Sequence, residues 1–234
     1  LLLVDDDPSL QATLSDFLAF HGYDVKCVAS GEEAIIAMRP YNPDLVILDM
    51  GMPGIGGTGF LDRIVKQDGS TLYPVLVLTA RASMVGYFAD KQIAGFVAKP
   101  ADPNDLLLEI GRILFENPRT PESERDRAVL GRLLLVDGSE GLASNLAIEF
   151  SRVGFVVDYA ADGAGAIARA VREPPALLAV ANGLGGAMTS ETLVETLRRM
   201  PITAAVPVLV YDTPDLPADP ARIVAAALAR VAGE

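Results

Sequence analysis

The chain has 234 residues, half of them apolar, and a formal net charge of −12. That length suits two domains of ordinary size, and the apolar share supplies a core for each. The acidic balance argues against direct binding to nucleic acid, whose phosphates need basic partners. No apolar run of about eighteen residues marks a membrane span, and no charged-then-apolar leader marks secretion. The single cysteine, Cys27, lies in an apolar stretch and is expected to be a buried, reduced thiol, so the chain reads as cytoplasmic. It starts on Leu1, already inside a strand, so an initiator methionine and a few residues are expected to precede it.

Short apolar runs alternate with helical patterns along the first half. Leu1–Val4 reads as a strand buried on both faces and is followed by Asp5-Asp6. Asp7-Pro8 is a helix entry, since proline suits the first helical position. Leu10, Leu14, Phe17 and Leu18 then line one face of a helix ending near His21-Gly22. Ser30-Gly-Glu-Glu33 has the form of a capping box opening a second helix, which Pro40 is expected to stop. A second strand run, Leu45–Leu48, is followed by Asp49, and Phe60, Leu61, Ile64 and Val65 mark a third helix. Val75–Leu78 precedes Thr79, a weak fourth helix is predicted over Met84–Gln92, and Phe96–Ala98 precedes Lys99-Pro100; these runs, like Leu45–Leu48, also read as strands buried on both faces. Asp102-Pro103 opens a fifth helix whose buried stripe is Leu106, Leu107, Ile110, Ile113 and Leu114. Asn117–Asp126 is polar, carries two prolines and reads as a linker.

The residues just past the C-terminal ends of parallel strands share one rim, where such folds bind ligands. Here that rim gathers three carboxylates, a hydroxyl and an ammonium: Asp5, Asp6, Asp49, Thr79 and Lys99. Clustered carboxylates repel one another until a hard cation neutralises them, and Mg²⁺ prefers a few carboxylates with water and phosphate oxygens. A carboxylate can attack a phosphorus whose oxygens are held by metal, hydroxyl and lysine. Any one of these residues could merely decorate a loop; all five at the same end of their strands point to phosphoryl chemistry.

Leu-Val-Asp5-Asp6, Asp49-Met-Gly-Met-Pro53, Gly57 eight residues after Asp49, Thr79-Ala80 thirty after it, and Lys99-Pro100 resemble the receiver domain of two-component response regulators. The resemblance implies a flavodoxin-like (CheY-like), doubly wound parallel α/β sheet over residues 1–116. It implies that Asp49 is the phosphoacceptor and that Asp6 ligates Mg²⁺ directly, with Asp5 acting largely through water and the Gly51 carbonyl as a further ligand. Thr79 and Lys99 would hold the phosphoryl oxygens, Phe96 would be the aromatic switch, and the Lys99–Pro100 bond would be cis.

The second half repeats the first. Leu133–Asp137 matches Leu1–Asp5 at an offset of 132, which also pairs Gly22-Tyr23 with Gly154-Phe155, Gly31 with Gly163, and Leu45–Leu48 with Leu177–Val180. After a 117–131 linker, residues 132–234 therefore resemble a second receiver whose chemistry is gone. Gly138 stands at the place of Asp6 and Ala181 at that of Asp49; a one-residue insertion puts Asp212 against Thr79, leaving Asp137 as the retained acid. Only nine residues, Asp212–Pro220, separate its fourth strand from its last helix, against twenty-five in the first unit, so four strands are expected. The alternative is that Ala221–Val231 is a fourth helix and the chain ends before strand five.

Other motifs carry less. Gly54-Ile-Gly56-Gly57-Thr-Gly59 satisfies GxGxxG, but Asp49–Pro53 intervene after the strand and no acid ends the next one, so a loop beside the site is the better reading. His21 is the one histidine, so no histidine triad or zinc site can be assembled. A haloacid-dehalogenase nucleophile would need an Asp where Gly51 stands. Asp158 and Asp162 read as surface charges. The leading functional reading is a non-enzymatic response regulator phosphorylated by a histidine kinase or histidine phosphotransfer protein, its second unit an adaptor for homodimerisation or docking. The alternatives are the regulatory part of a larger effector, such as a nucleotide cyclase, and a stand-alone phosphatase.

Overall fold

The computed structural model describes residues 1–66, 68–79, 88, 91–120, 123–124, 127–184, 188–212 and 220–232. The chain divides into two compact units, Leu1–Ala128 and Val129–Glu234. In the first, β1 (Leu2–Val4), β2 (Lys26–Val28), β3 (Val46–Asp49), β4 (Val75–Thr79) and β5 (Gly95–Ala98) form an all-parallel sheet in the order β2-β1-β3-β4-β5. Both faces of β1, β3 and β4 are buried, which is why these strands are continuous apolar runs rather than alternating ones. Edge strand β2 carries no apolar run that marks it in the sequence, and edge strand β5, expected to be buried on both faces, is exposed at alternate positions because no strand pairs with its outer side among the described residues.

Capping explains where the helices begin. Helix α1 (Pro8–Phe20) starts on the Asp7 carboxylate, which accepts from the Ser9 and Leu10 amides, and buries Leu14 and Leu18. Helix α2 (Gly31–Tyr41) starts on Ser30, whose hydroxyl accepts from the Glu33 amide, while the Glu33 carboxylate reaches back to the Ala29 amide. Pro40 does not stop this helix. It lies inside the last turn, and the chain leaves the helix at Asn42, in the left-handed region at φ +48°. Helix α3 (Gly56–Ile64) ends before Val65, which is extended. Helix α4 (Pro103–Glu116) starts on Asp102 and buries Leu106, Ile110 and Ile113 against β1, β3 and β4 residues and α1. Six of the nine residues of the helix expected over Met84–Gln92 lie outside the described residues, and Gln92 itself pairs with Ser70 in an isolated bridge rather than a helix.

Residues 117–128 belong to the first compact unit. Arg119 forms an ion pair with Asp44 and donates to the Asn42 carbonyl at 2.8 Å. Arg127 lies 4.5 Å over the ring of Tyr73, itself fully buried.

The second unit contains β6 (Gly131–Val136), α5 (Glu140–Arg152), β7 (Phe155–Ala160), α6 (Gly163–Arg172), β8 (Leu177–Ala181), α7 (Ser190–Arg199), β9 (Val208–Tyr211) and α8 (Pro220–Ala232). Its sheet is parallel in the order β7-β6-β8-β9, the order of the first sheet less one strand among the described residues. Register repeats as well: Leu2 pairs with Lys26 and Val46, and Leu134 pairs with Asp158 and Leu178. Asp49 faces Leu78, and Ala181 faces Tyr211. Helix α8 packs on α5, β8 and β9, as α4 packs on α1 and β5, so α8 corresponds to the last helix of the first unit rather than to an internal one. Strand β9 is an edge in this sheet, and Arg230 of α8 donates to the Val208 carbonyl.

Several side chains sit differently from expectation. Cys27 is half-buried rather than buried, although burial still raises its thiol pKa. Asp158 is not a free surface charge: it pairs with Arg132 and Arg169. Asp162 caps α6 by accepting from the Gly165 amide at 2.7 Å. His21 is the exposed C-cap of α1, its Nδ1 2.8 Å from the Phe17 carbonyl.

Candidate functional site

The C-terminal rim of the first sheet brings the foreseen residues together. Asp5 follows β1 and is 1% exposed; Asp49 is the last residue of β3 and is buried; Asp6 is exposed beside them. One carboxylate oxygen from each lies within 4.8 Å of the others, the one such cluster of acidic, histidine or cysteine side chains among the described residues. Lys99, just past β5, bridges two of them, its Nζ 2.7 Å from Asp5 Oδ2 and 2.9 Å from Asp49 Oδ1. The other oxygens are also engaged: Asp5 Oδ1 accepts from the Asp7 amide at 2.9 Å, and Asp49 Oδ2 from the Gly51 amide at 3.1 Å. Thr79 ends β4, and its carbonyl accepts from the Lys99 amide at 2.9 Å, which fixes the start of the Lys99 loop. The Lys99–Pro100 bond is cis. Phe96 is 47% exposed on β5, its ring packed edge-on against Phe88 at 4.9 Å.

Burial lowers the Lys99 ammonium pKa, but hydrogen bonds to Asp5 and Asp49 and the charge of both outweigh it, leaving it above its ordinary value. The lysine is therefore the resident counter-charge of a crowded acidic rim.

Two supporting residues, Gln11 and Glu32, carry no distinct signal in the sequence, and a third, Gly57, is marked there by its spacing from Asp49. Gln11 Nε2 donates to the carbonyls of Asp5 and Val28, tying α1 to the exit of β1. Glu32 Oε1 accepts from the Ile55 amide at 2.9 Å, bracing the loop between Asp49 and α3 from α2. A Cβ on Gly57 would lie 2.4 Å from the Asp49 carbonyl oxygen and 2.7 Å from Met50 Cα, so the start of α3 passes against the backbone that carries Asp49. Gly57→Ala should therefore push α3 away, destabilising the first unit by about 2 kcal/mol and slowing any chemistry at Asp49. Urea-dependent hydrogen exchange on β3 amides reads this; protection within about 0.5 kcal/mol of the parent chain would show that the close approach has slack.

The equivalent rim of the second unit is closed. Asp137 is 2% exposed; its Oδ1 accepts from the Ser139 amide at 2.8 Å, as Asp5 accepts from Asp7, but its Oδ2 accepts from the Tyr211 hydroxyl at 2.8 Å. Tyr159 donates to the Asp137 carbonyl at 2.8 Å. Ala181 is buried, Gly138 is exposed, and Asp212 accepts from Asn182 at 2.8 Å. Tyr211, rather than Asp212, meets the retained acid.

The sequence pattern of the response regulator receiver domain matches residues 1–111. Residues 1–111 are a response regulator receiver domain. The receiver's relatives include the DNA-binding response regulator MtrA of Mycolicibacterium smegmatis, 32% identical over 123 residues that make up 52% of this chain and 53% of that protein. The chain spans about half the length of the curated relatives it matches. Solved structures similar to the receiver include Vibrio cholerae chemotaxis protein CheY4, 30% identical, covering 48% of this chain and 96% of that one at a TM-score of 0.44. The adenylate cyclase from Rhodopirellula baltica is 28% identical over 53% of this chain and 93% of its own, with a TM-score of 0.45. No helix among the described residues is long and apolar enough to cross a membrane.

Proposed function

We propose that the chain is a response regulator that takes a phosphoryl group on Asp49 from a histidine kinase or a histidine phosphotransfer protein. The observation that carries this reading is Lys99 held between Asp5 and Asp49 beside the exposed Asp6, on a rim where Thr79 also ends its strand. The donor set fits Mg²⁺: hard carboxylate oxygens from Asp5, Asp6 and Asp49 within 4.8 Å, with the Gly51 carbonyl as a fourth candidate ligand. When bound, Mg²⁺ supplies positive charge against the phosphoryl oxygens and neutralises the acids. Asp49 contributes the nucleophile: one of its oxygens forms the bond to phosphorus while the donor's phosphorus–nitrogen bond breaks, and the proton needed by the leaving imidazole comes from solvent. Lys99 and Thr79 hold the transferred oxygens, so their position relative to Asp49 sets the rate by orientation and charge rather than by covalent chemistry. Phe96, beside Phe88, reports occupancy of the rim to the β5 surface.

Residues 132–234 we read as a pseudo-receiver joined through 117–131, kept as a homodimerisation or docking adaptor. Its repeated strand order and register, with Ala181 and Gly138 at the acid positions, support this. No enzymatic turnover beyond self-catalysed gain and loss of the phosphoryl group is proposed, nor any direct contact with DNA; the DNA binding named for MtrA is a property of a protein about twice the matched length.

The test is labelling with acetyl phosphate and Mg²⁺, followed by peptide mapping. One label per chain is expected on Asp49 and none on Asp49→Asn. Equal labelling of the variant, or a label beyond residue 130, would refute the assignment.

A further inference from the structure

The opposite end of the first sheet holds a cavity of about 580 Å³, beneath the N-terminal ends of β4 and β5, whose wall includes Lys66, Ser70, Leu72, Gln92, Ile93 and Arg127. A volume of that order matches pockets for small organic ligands. Arg127 is its unusual member. The residue is 6% exposed, yet no carboxylate among the described residues forms an ion pair with it. Its Nε donates to the Leu72 carbonyl at 3.3 Å and one terminal nitrogen reaches the Pro43 carbonyl at 3.5 Å, both long. Tyr73 offers a ring face, which compensates only part of a desolvated charge.

Asp44 and Glu124 act on this guanidinium only from beyond ion-pair distance; a mostly buried cation so compensated is costly, and the cost falls when an anion comes into contact. Among the described residues of the wall the one carboxylate, Glu116, is already bound by Arg112. Lys66 adds a second cation on the exposed side, Ser70 and Gln92 add polar groups, and Leu72 and Ile93 add an apolar floor. We infer that this cavity binds a small organic anion through a carboxylate or phosphate group paired with Arg127 and Lys66. The site is independent of the phosphoacceptor rim, which lies at the other end of the same strands.

The experiment follows amide chemical shifts of the full chain in EDTA during titration with inorganic phosphate and, separately, with malonate, against sodium chloride at matched ionic strength. Saturable shifts at Thr71–Leu72 and Gln92–Ala94 with one anion or both are expected, and the tighter of the two assigns the headgroup. Arg127→Met should weaken binding by about tenfold or more, a charge-assisted contact being worth that much. Lys66→Gln, which removes the charge at an exposed position, should weaken it by about threefold and decides the matter if Arg127→Met fails to fold. No saturable shift with either anion, or affinities untouched by these substitutions, would overturn the inference.

Discussion

Lys99→Met should weaken the metal-free receiver domain by about 3 kcal/mol, and Mg²⁺ should restore most of the loss. Removing the ammonium leaves Asp5, at 1% side-chain exposure, and Asp49, at 10%, facing each other and Asp6 without a counter-charge. Breaking a buried pair from one side generally costs about 3–5 kcal/mol. The lysine side chain is itself 23% exposed, so water softens the loss and the lower end applies. The measurement is urea-dependent hydrogen exchange on β1 and β3 amides of the intact chain, in EDTA and in Mg²⁺. The variant should also bind Mg²⁺ more tightly, because no ammonium competes for the same oxygens. Asp49→Asn in the same background should recover part of the metal-free stability, a coupling that a structural role confined to the lysine stem would not show. The pH dependence follows from the raised Lys99 pKa. Its contribution is complete below the unfolded value of about 10.4 and disappears as pH climbs through the higher folded value. Parent β1 and β3 should thus lose protection in strong alkali, whereas the variant should lack that part of the decline. Unchanged stability in EDTA would mean that Lys99 is not the counter-charge of this rim.

Tyr211→Phe should destabilise the second unit by about 2 kcal/mol and leave the first untouched. The phenol donates to Asp137 Oδ2 at 2.8 Å in a buried setting, and the substitution keeps the ring while stranding that oxygen. Burial raises the Tyr211 pKa well above the ordinary phenol range, and the hydrogen bond to Asp137 and its charge raise it further. This group therefore stabilises the fold fully below a pH of about 10 and less as pH rises through its folded value. Hydrogen exchange on β6, β8 and β9 amides should show the loss near neutrality and a flatter alkaline decline in the variant. A change under about 0.5 kcal/mol would mean that water replaces the hydroxyl. In the receiver a lysine closes the corresponding acid and can yield it to another cation. In the second unit a tyrosine closes it without supplying a charge, and Ala181 offers no second carboxylate.

The fold class and the site were legible in the sequence for different reasons. Strands β1, β3 and β4 are buried on both faces, so Leu1–Val4, Leu45–Leu48 and Val75–Leu78 must be apolar at every position. That constraint marks their ends and hence the part of the rim carrying Asp5, Asp6, Asp49 and Thr79; Lys99 follows edge strand β5, whose residues are exposed at alternate positions. Caps at Asp7, Ser30 and Asp102 are local chemistry and could be read from spacing alone. Edge strand β2 escaped notice because its exposed side demands no apolar run. Pro40 misled because a proline in the last turn removes one donor without ending the helix; the turn at Asn42 ends it.

The sequence by itself determined which side chains lie at the ends of the strands, because burial on two faces and local capping are written in composition and spacing. Only the tertiary structure decided what those side chains meet. Lys99 reaches across ninety-four positions to Asp5, Tyr211 across seventy-four to Asp137, and Arg127 across fifty-five to the Leu72 carbonyl. Such partners are chosen by strand order and register, which bring distant residues to one rim, and no local pattern records a distance set by the packing of the whole sheet.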